Sequence, residues 1–426
     1  PPLITAPFYF ITYQNINPDH MKKFFPIFFL FFALPYDYTV ACTTAIISGK
    51  HTPDGRSIIW KLRDSDEPKN SMRYFSDGVY PYIGLVNSAD IKGENVWAGT
   101  NSAGFAIMNS ASYNVNIGDT SPLKDKEGVF MKLALQTCAS LQDFEQLLET
   151  YPKPRGLAAN FGVMDANGGI AFYEVDNWKW TKFDANNPQL APNGYIIRTN
   201  YSETGINEEK RGSIRRQTAE KIFAEAAEKS KLDYRTVIQE FSRCFYHPVF
   251  GIDFRKKYET SRPESEFVAS DDFITRHSSV SALIIQSVKP EEFPDMTTIW
   301  ALVGYPATTV AMPLWLHGKE NIPKILRYDP LLKNSPLNEY ALEWKKTCYP
   351  ITNPEGYHYL KMTQLVNIDK TGYIQRIEPL EREIFMLTDE KLATWRENPP
   401  QTSEIENYYE FLNKKISDFY VIEKTR

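Results

Sequence analysis

Cys42 stands where a cut after Ala41 would make it a first residue. Reading from Met21, Lys22 and Lys23 form a short basic start, residues 24–34 an apolar run, and Thr39-Val40-Ala41 a small-residue junction. That is the pattern of an export signal. An N-terminal cysteine carries a thiol and a free α-amine on one residue. The amine titrates at about 7.7–8.0, near enough to neutrality to take the thiol proton directly or through a water. Such a residue is a nucleophile with its own base. A second group able to do chemistry is the charged run Lys61-Leu62-Arg63-Asp64.

The apolar run is too short to span a bilayer and reads as the core of a signal peptide over 21–41. Residues 1–20 precede the basic start and read as upstream translation outside the native protein. The expectation is an exported, periplasmic or extracellular protein with no stable membrane span. A lipid-anchored surface binding protein with an acylated Cys42 is the competing reading. It is less favoured because the lipoprotein box normally has Leu three residues before the cysteine, where this chain has Thr39.

A net charge of −5 with 24% charged and 14% aromatic residues describes a folded, mildly acidic protein. No basic surplus argues for nucleic acid. Cys42, Cys138, Cys244 and Cys348 are scattered without CxxC spacing, which supports neither a zinc site nor a disulfide framework. Cys138 lies in an apolar helical stretch and reads as core. No GxxxxGK[ST], GxGxxG, HExxH or GxSxG pattern occurs, so nucleotide, zinc-protease and serine-elbow chemistries lack their signatures. His247 and His277 each sit singly among apolar and hydroxyl residues and read as structural. A Cys–His thiol protease would need one of them.

The elements that must position this chemistry come in blocks. Strands are expected at 42–48 and 57–63, joined by a Pro53-Asp54-Gly55 turn, and at 105–108. Helices follow at about 128–139 and 141–150. A hairpin is expected at 160–165 and 170–174, where Gly168 and Gly169 tolerate positive φ in the turn, and Asp165 and Glu174 border it. A strand at 195–199 and helices at 213–228 and 233–243 come next, then strands at 279–287, 297–304 and 308–314. Helices at about 377–395 and 403–418 close a proline-punctuated C-terminal stretch. Alternating blocks of this kind suggest α+β layers with antiparallel sheets.

Taken in order, Cys42-Thr43-Thr44-Ala45-Ile46-Ile47, Trp60 to Asp64, Gly99-Thr100-Asn101 with Gly104, Arg198-Thr199-Asn200 and Ser213 to Arg216 resemble the N-terminal-nucleophile (Ntn) amide hydrolases. The resemblance is to the choloylglycine hydrolase and penicillin V acylase group and to the acyl-coenzyme A:6-aminopenicillanic acid acyltransferase family, over roughly 42–316. It implies an α+β four-layer αββα sandwich with two antiparallel sheets. The catalytic domain would cover 42–320, with a C-terminal helical extension, 321–426, packed on the core. The family's Arg-x-x-Asp falls on Lys61 and Asp64, so Asp64 is expected to hold the Cys42 α-amine. Lys61 departs from the usual Arg and leaves Lys61 and Arg63 both open as the cation beside the thiolate. Asn200 is expected to donate to an oxyanion, with Asn109 near the second donor. Arg215, with Arg216 as its register alternative, is expected to support the charges of the site.

The implied chemistry is cleavage of a linear amide through a thioester, with no cofactor and no metal. The implied partner is a small N-acyl compound such as a conjugated bile salt, penicillin V or an N-acyl amino acid, and a homo-oligomer stays open. An acyltransferase or a dipeptidase of the same superfamily remains the alternative within this chemistry.

Overall fold

The computed structural model describes residues 41–353 and 355–424. The expected signal segment, 21–41, and the stretch 1–20 lie outside the described residues except for Ala41. Thirteen strands build two large antiparallel sheets. The first ten are β1 (Cys42–Ile47), β2 (Ile58–Asp64), β3 (Asn70–Phe75), β4 (Tyr82–Asn87), β5 (Ala98–Asn101), β6 (Ala106–Ala111), β7 (Ala159–Met164), β8 (Ile170–Val175), β9 (Trp180–Asp184) and β10 (Tyr195–Arg198). The last three are β11 (Ser279–Gln286), β12 (Thr298–Val303) and β13 (Met312–Trp315). One sheet runs β10-β1-β2-β11-β12-β13 and the other is the meander β3 to β9.

Strand alternation divides the residues into layers. Along β7, Phe161 and Val163 join a cluster with Phe130, Phe144 and Leu148 of the helices α1 (Glu127–Thr137) and α2 (Leu141–Thr150). Met164 points the other way, into the cluster shared with the first sheet. A Cβ at Gly162 would lie 3.1 Å from Cγ2 of Ile46, so the two sheets meet closely there. On β2, Trp60 turns away from the second sheet to pack on Phe223 of α3 (Ser213–Glu228) and on Phe241. Helix, sheet, sheet and helix are stacked in that order, the four-layer α+β sandwich expected from the resemblance.

Three further helices, α4 (Pro336–Cys348), α5 (Tyr373–Trp395) and α6 (Thr402–Lys424), cover the outer strands of the first sheet. Their residues Trp344, Phe385 and Tyr409 share the cluster that contains Trp300 and Trp315. Arg243 and Glu381 form a fully buried ion pair at 2.7 Å, and Glu381 also accepts from the Ala311 N–H.

Several elements depart from the sequence reading. Strands β3, β4, β5 and β9 carried no separate expectation; β5 is only Ala-Gly-Thr-Asn, a poor strand former held by its neighbours. The expected strand 308–314 begins later because Pro306–Thr308 is a 3-10 turn. Helix α4 starts on Pro336, where proline suits the first helical position rather than ending one. Helix α5 begins four residues before the expected 377 and runs through Pro379.

Candidate active site

Cys42 opens β1 at the end of the first sheet and is 4% exposed. In the β1–β2 register Cys42 lies opposite Arg63 and Thr44 opposite Lys61. Residues opposed in an antiparallel pair share a face, so Cys42, Lys61 and Arg63 look together toward the second sheet. Lys61 crosses the gap, donating from Nζ to Asn109 Oδ1 on β6 and to the Trp97 carbonyl, both at 2.7 Å. Arg63 donates to Asn70 Oδ1 at 2.6 Å and Asn87 Oδ1 at 2.8 Å, and its guanidinium lies 4.9 Å from the Trp97 ring centroid.

Burial pulls the Lys61 ammonium down to about 8, with the Cys42 sulfur opposing the shift and Arg63 adding to it. Arg63 is pulled down to about 10 by burial, again against the influence of Cys42. Two desolvated cations thus bear on one thiol. A buried cation is costly without an opposite charge nearby, so this face suits a reaction that develops negative charge.

The other side of Cys42 is held by Asn200 and Arg215. The Cys42 N–H donates to Asn200 Oδ1 at 3.0 Å, and Arg215 Nη2 donates to the same oxygen at 2.7 Å. Asn200 Nδ2 donates to the Ala111 carbonyl at 3.1 Å. This orientation is forced, because the reverse would set an NH₂ against two donors. Arg215 Nη1 donates to the Cys42 carbonyl at 2.6 Å and to Thr43 Oγ1 at 2.9 Å. Burial brings Arg215 down to about 10, helped by Arg276 and opposed by Asp64. Gly212, at φ +83°, precedes α3, and a Cβ there would lie 2.4 Å from Arg215 Nη2. Its lack of a side chain lets Arg215 fold back over its own helix start.

Of the sequence candidates, Cys42, Lys61, Asn109, Asn200 and Arg215 come together, and Arg63 joins them. Arg216 turns outward to Glu203 and Glu220. Two expectations need correction. Asp64 makes no hydrogen bond to the Cys42 nitrogen. Its Oδ1 accepts from Ser279 Oγ at 2.7 Å, and its Oδ2 pairs with Arg276 at 2.9 Å. It alternates with Arg63 along β2 and so faces away from the inter-sheet gap. Asn200 in turn offers Cys42 its oxygen rather than its N–H. Asn109 differs: among the described residues, its side chain is held only through Oδ1, by Lys61.

Asp165 and Glu174 are spent elsewhere. Asp165 accepts from the Leu141 N–H at 3.0 Å, and Glu174 pairs with Arg198 at 2.7 Å. Among the described residues no hydrogen bond joins Cys42 to His247 or His277. Burial, with Lys345 and His358 beside it, lowers His277 to about 4. Trp97, Thr43, Tyr113, Arg276 and Ser279 were not foreseen. Tyr113 donates its N–H to the Asn200 carbonyl at 3.1 Å, and its phenol is raised first by burial and then by the Cys42 charge. Apart from Thr43, next to Cys42 in the chain, no motif in the sequence marks these residues, which meet Cys42 or its partners only through the fold.

Residues 51–250 match the family model described as Acyl-coenzyme A:6-aminopenicillanic acid acyl-transferase. Over that segment the chain is similar to this acyl-transferase family, one of the families its motifs resemble. No curated protein matches the chain. Solved structures similar to it include a Caenorhabditis elegans N-acylethanolamine-hydrolyzing acid amidase ortholog, at 14% identity and TM-score 0.37 over 59% of this chain and 93% of that one. Penicillin V acylase from Agrobacterium tumefaciens aligns at 11% identity and TM-score 0.32, over 64% of this chain and 85% of that one. A mutant of conjugated bile acid hydrolase from Clostridium perfringens aligns at 11% identity and TM-score 0.36, over 66% of this chain and 93% of that one.

Proposed function

We propose that this chain, exported and cut before Cys42, is a cysteine Ntn hydrolase that cleaves the C–N bond of a linear N-acyl amide. The observation that carries the reading is the Cys42 nitrogen held by Asn200 Oδ1 on a residue whose thiol shares its sheet face with Lys61 and Arg63. Once free, that nitrogen is an α-amine already oriented by a carbonyl oxygen and able to take a proton.

Cys42 Sγ adds to the amide carbonyl carbon and its proton passes to the Cys42 amine. The carbonyl oxygen becomes an oxyanion that accepts from Asn109 Nδ2 and a backbone N–H. The C–N bond breaks as the Cys42 ammonium gives its proton to the leaving amine, and a thioester remains. Water then adds to the thioester, losing its proton to the same amine. The acid leaves, and the proton returns to the thiol. Lys61 and Arg63 stabilise the sulfur anion, while Arg215 fixes the Asn200 oxygen and the Cys42 carbonyl.

The match to an acyl-transferase family favours a second reading, in which an amine or thiol replaces water in the last step. Intact mass and N-terminal sequencing of the exported protein, with iodoacetamide labelling and a panel of N-acyl amides, test the proposal. The expected chain begins at Cys42 with an unmodified amine, labels there, and releases the free acid. A diacylglycerol adduct on Cys42, or full amide hydrolysis by Cys42→Ala, would overturn it. Acid released in preference to an added amine conjugate decides for hydrolase over acyltransferase.

A further inference from the structure

The segment that matches the acyl-transferase family ends at 250, yet the candidate site is braced from beyond residue 330. Two braces come from α4 and the residues before it. The first reaches Arg63. Its partner Asn70 is fixed through its own carbonyl, which accepts from Ser335 Oγ at 2.7 Å. The turn before Asn70 is fixed by Asn338 Nδ2, which donates to the Pro68 carbonyl at 3.2 Å. Asn70 also donates back to Pro68 at 3.0 Å, so the turn, the asparagine and the arginine form one hydrogen-bonded unit.

The second brace reaches Asp64. Lys345 on α4 donates from Nζ to the His277 carbonyl at 2.5 Å, next in sequence to Arg276, the ion-pair partner of Asp64. The lysine is 9% exposed, and its nitrogen lies 5.4 Å from the Tyr305 ring centroid. Helix α4 is seated closely enough that a Cβ at Gly304, where φ is +105°, would come within 2.4 Å of the Ala341 Cβ. A buried lysine needs a reason, since it gives up hydration for one carbonyl and an aromatic face. Burial draws it down to about 8, and Asp64 is the main group opposing that shift.

We propose that residues 335–348 are part of the catalytic apparatus, with Lys345 a positioning residue for the Arg276–Asp64 pair and Ser335 and Asn338 positioning residues for Arg63. The inference rests on the proposed cysteine chemistry for its meaning, but not for its test. Around Lys345 the charged and titratable neighbours are Asp64 of β2, Arg276 and His277 before β11, Tyr305 after β12, and Cys348 of α4 itself. If the lysine is removed, Arg276 is free to shift and the Asp64 charge is less compensated. Arg215 feels both members of that pair and itself holds the Cys42 carbonyl and the Asn200 oxygen, so a shift of the pair reaches Cys42 through it.

The test uses the mature protein and two variants, Lys345→Met and Ser335→Ala, with Lys345→Arg as the conservative control. Two rates are read, amide turnover and alkylation of Cys42 by iodoacetamide at pH 7, each per mole of folded protein. Lys345→Met is expected to lower kcat about tenfold with KM within about twofold, and to slow Cys42 alkylation about threefold or more. Lys345→Arg should recover most of both. Ser335→Ala, a smaller change that keeps the fold, should slow both about twofold to threefold. Parent-level kcat and alkylation in Ser335→Ala and in folded Lys345→Met would overturn the inference while leaving the amide hydrolase intact. Slowed alkylation in a protein that cleaves no amide would do the reverse.

Discussion

Four unpaired thiols occupy two kinds of place in this molecule, and the contrast between them is one of charge. Cys138 and Cys244 sit among apolar groups, where burial pushes both thiols up to about 12. Cys348 is raised by the same cause, with only Lys345 and Thr347 pulling back. Cys42 is no more exposed than Cys244, yet it faces Lys61 and Arg63 across one strand pair. Burial alone silences a thiol. Cys42 differs from the other three in the two desolvated cations that share its face.

That contrast can be broken most severely at Cys42 itself. Cys42→Ser should fold and should lose amide turnover nearly completely, because a hydroxyl is far less nucleophilic near neutral pH. Steady-state kinetics against the parent's best amide would expose any retained activity. Iodoacetamide mass mapping of the native protein should show Cys42 modified and Cys138, Cys244 and Cys348 intact.

Next in size is Asn200→Ala. It removes the oxygen that holds the Cys42 nitrogen and frees Arg215, and kcat should fall about 10²-fold through misplacement of the nucleophile, with a smaller change in KM. A fall confined to KM would show that Asn200 binds substrate instead.

A gentler change sharpens the role of the cations. Lys61 titrates near 8, so it loses its charge as pH rises through that value. A fall in kcat/KM on the alkaline side is expected there, and Lys61→Arg should move that limb upward while keeping most activity at pH 7. The α-amine titrates in the same range, so the difference between parent and variant is the informative quantity. The stability sign is opposite to that of a paired lysine. Lys61 is held below its unfolded value, so its cost to the fold is full below about pH 8 and fades as pH climbs toward the unfolded lysine value near 10.4. Urea unfolding at pH 7.5 and 9.5 should show a rise in the parent relative to Lys61→Arg.

Smallest of all should be His247→Gln and His277→Asn, each changing kcat less than about threefold. His277 is already neutral at neutral pH and His247 makes no bond to Cys42, so a large loss would revive a Cys–His mechanism.

Much of this was legible in the sequence. The turn Pro53-Asp54-Gly55 and the β-branched runs beside it pointed to the central hairpin, and that hairpin set Cys42 near Lys61 and Arg63. Periodicity could not choose between those two cations, and the structure shows why, since both face the thiol. The choice between Arg215 and Arg216 needed the fold-back that Gly212 permits. Asp64 holds Ser279 and Arg276 rather than the Cys42 nitrogen, because alternation along β2 turns its last residue away from the gap. Arg276, Ser279 and Lys345 were invisible for a different reason. They lie more than 200 residues from Asp64 in the chain and join it only through pairing of β2 with β11 and packing of α4.

The double acceptance by Asn200 Oδ1 has a consequence for how activity would begin. In the uncut chain the donor at Cys42 is a peptide nitrogen, whose lone pair is delocalised into the preceding carbonyl. Its neighbours nevertheless stand where a base would require them, so the ordering of the site is complete while the nitrogen is inert. Scission at 41–42 would then alter the electronic character of one atom and leave the architecture unmoved. On the proposed cut, the uncut chain would already hold a finished mould for the amine.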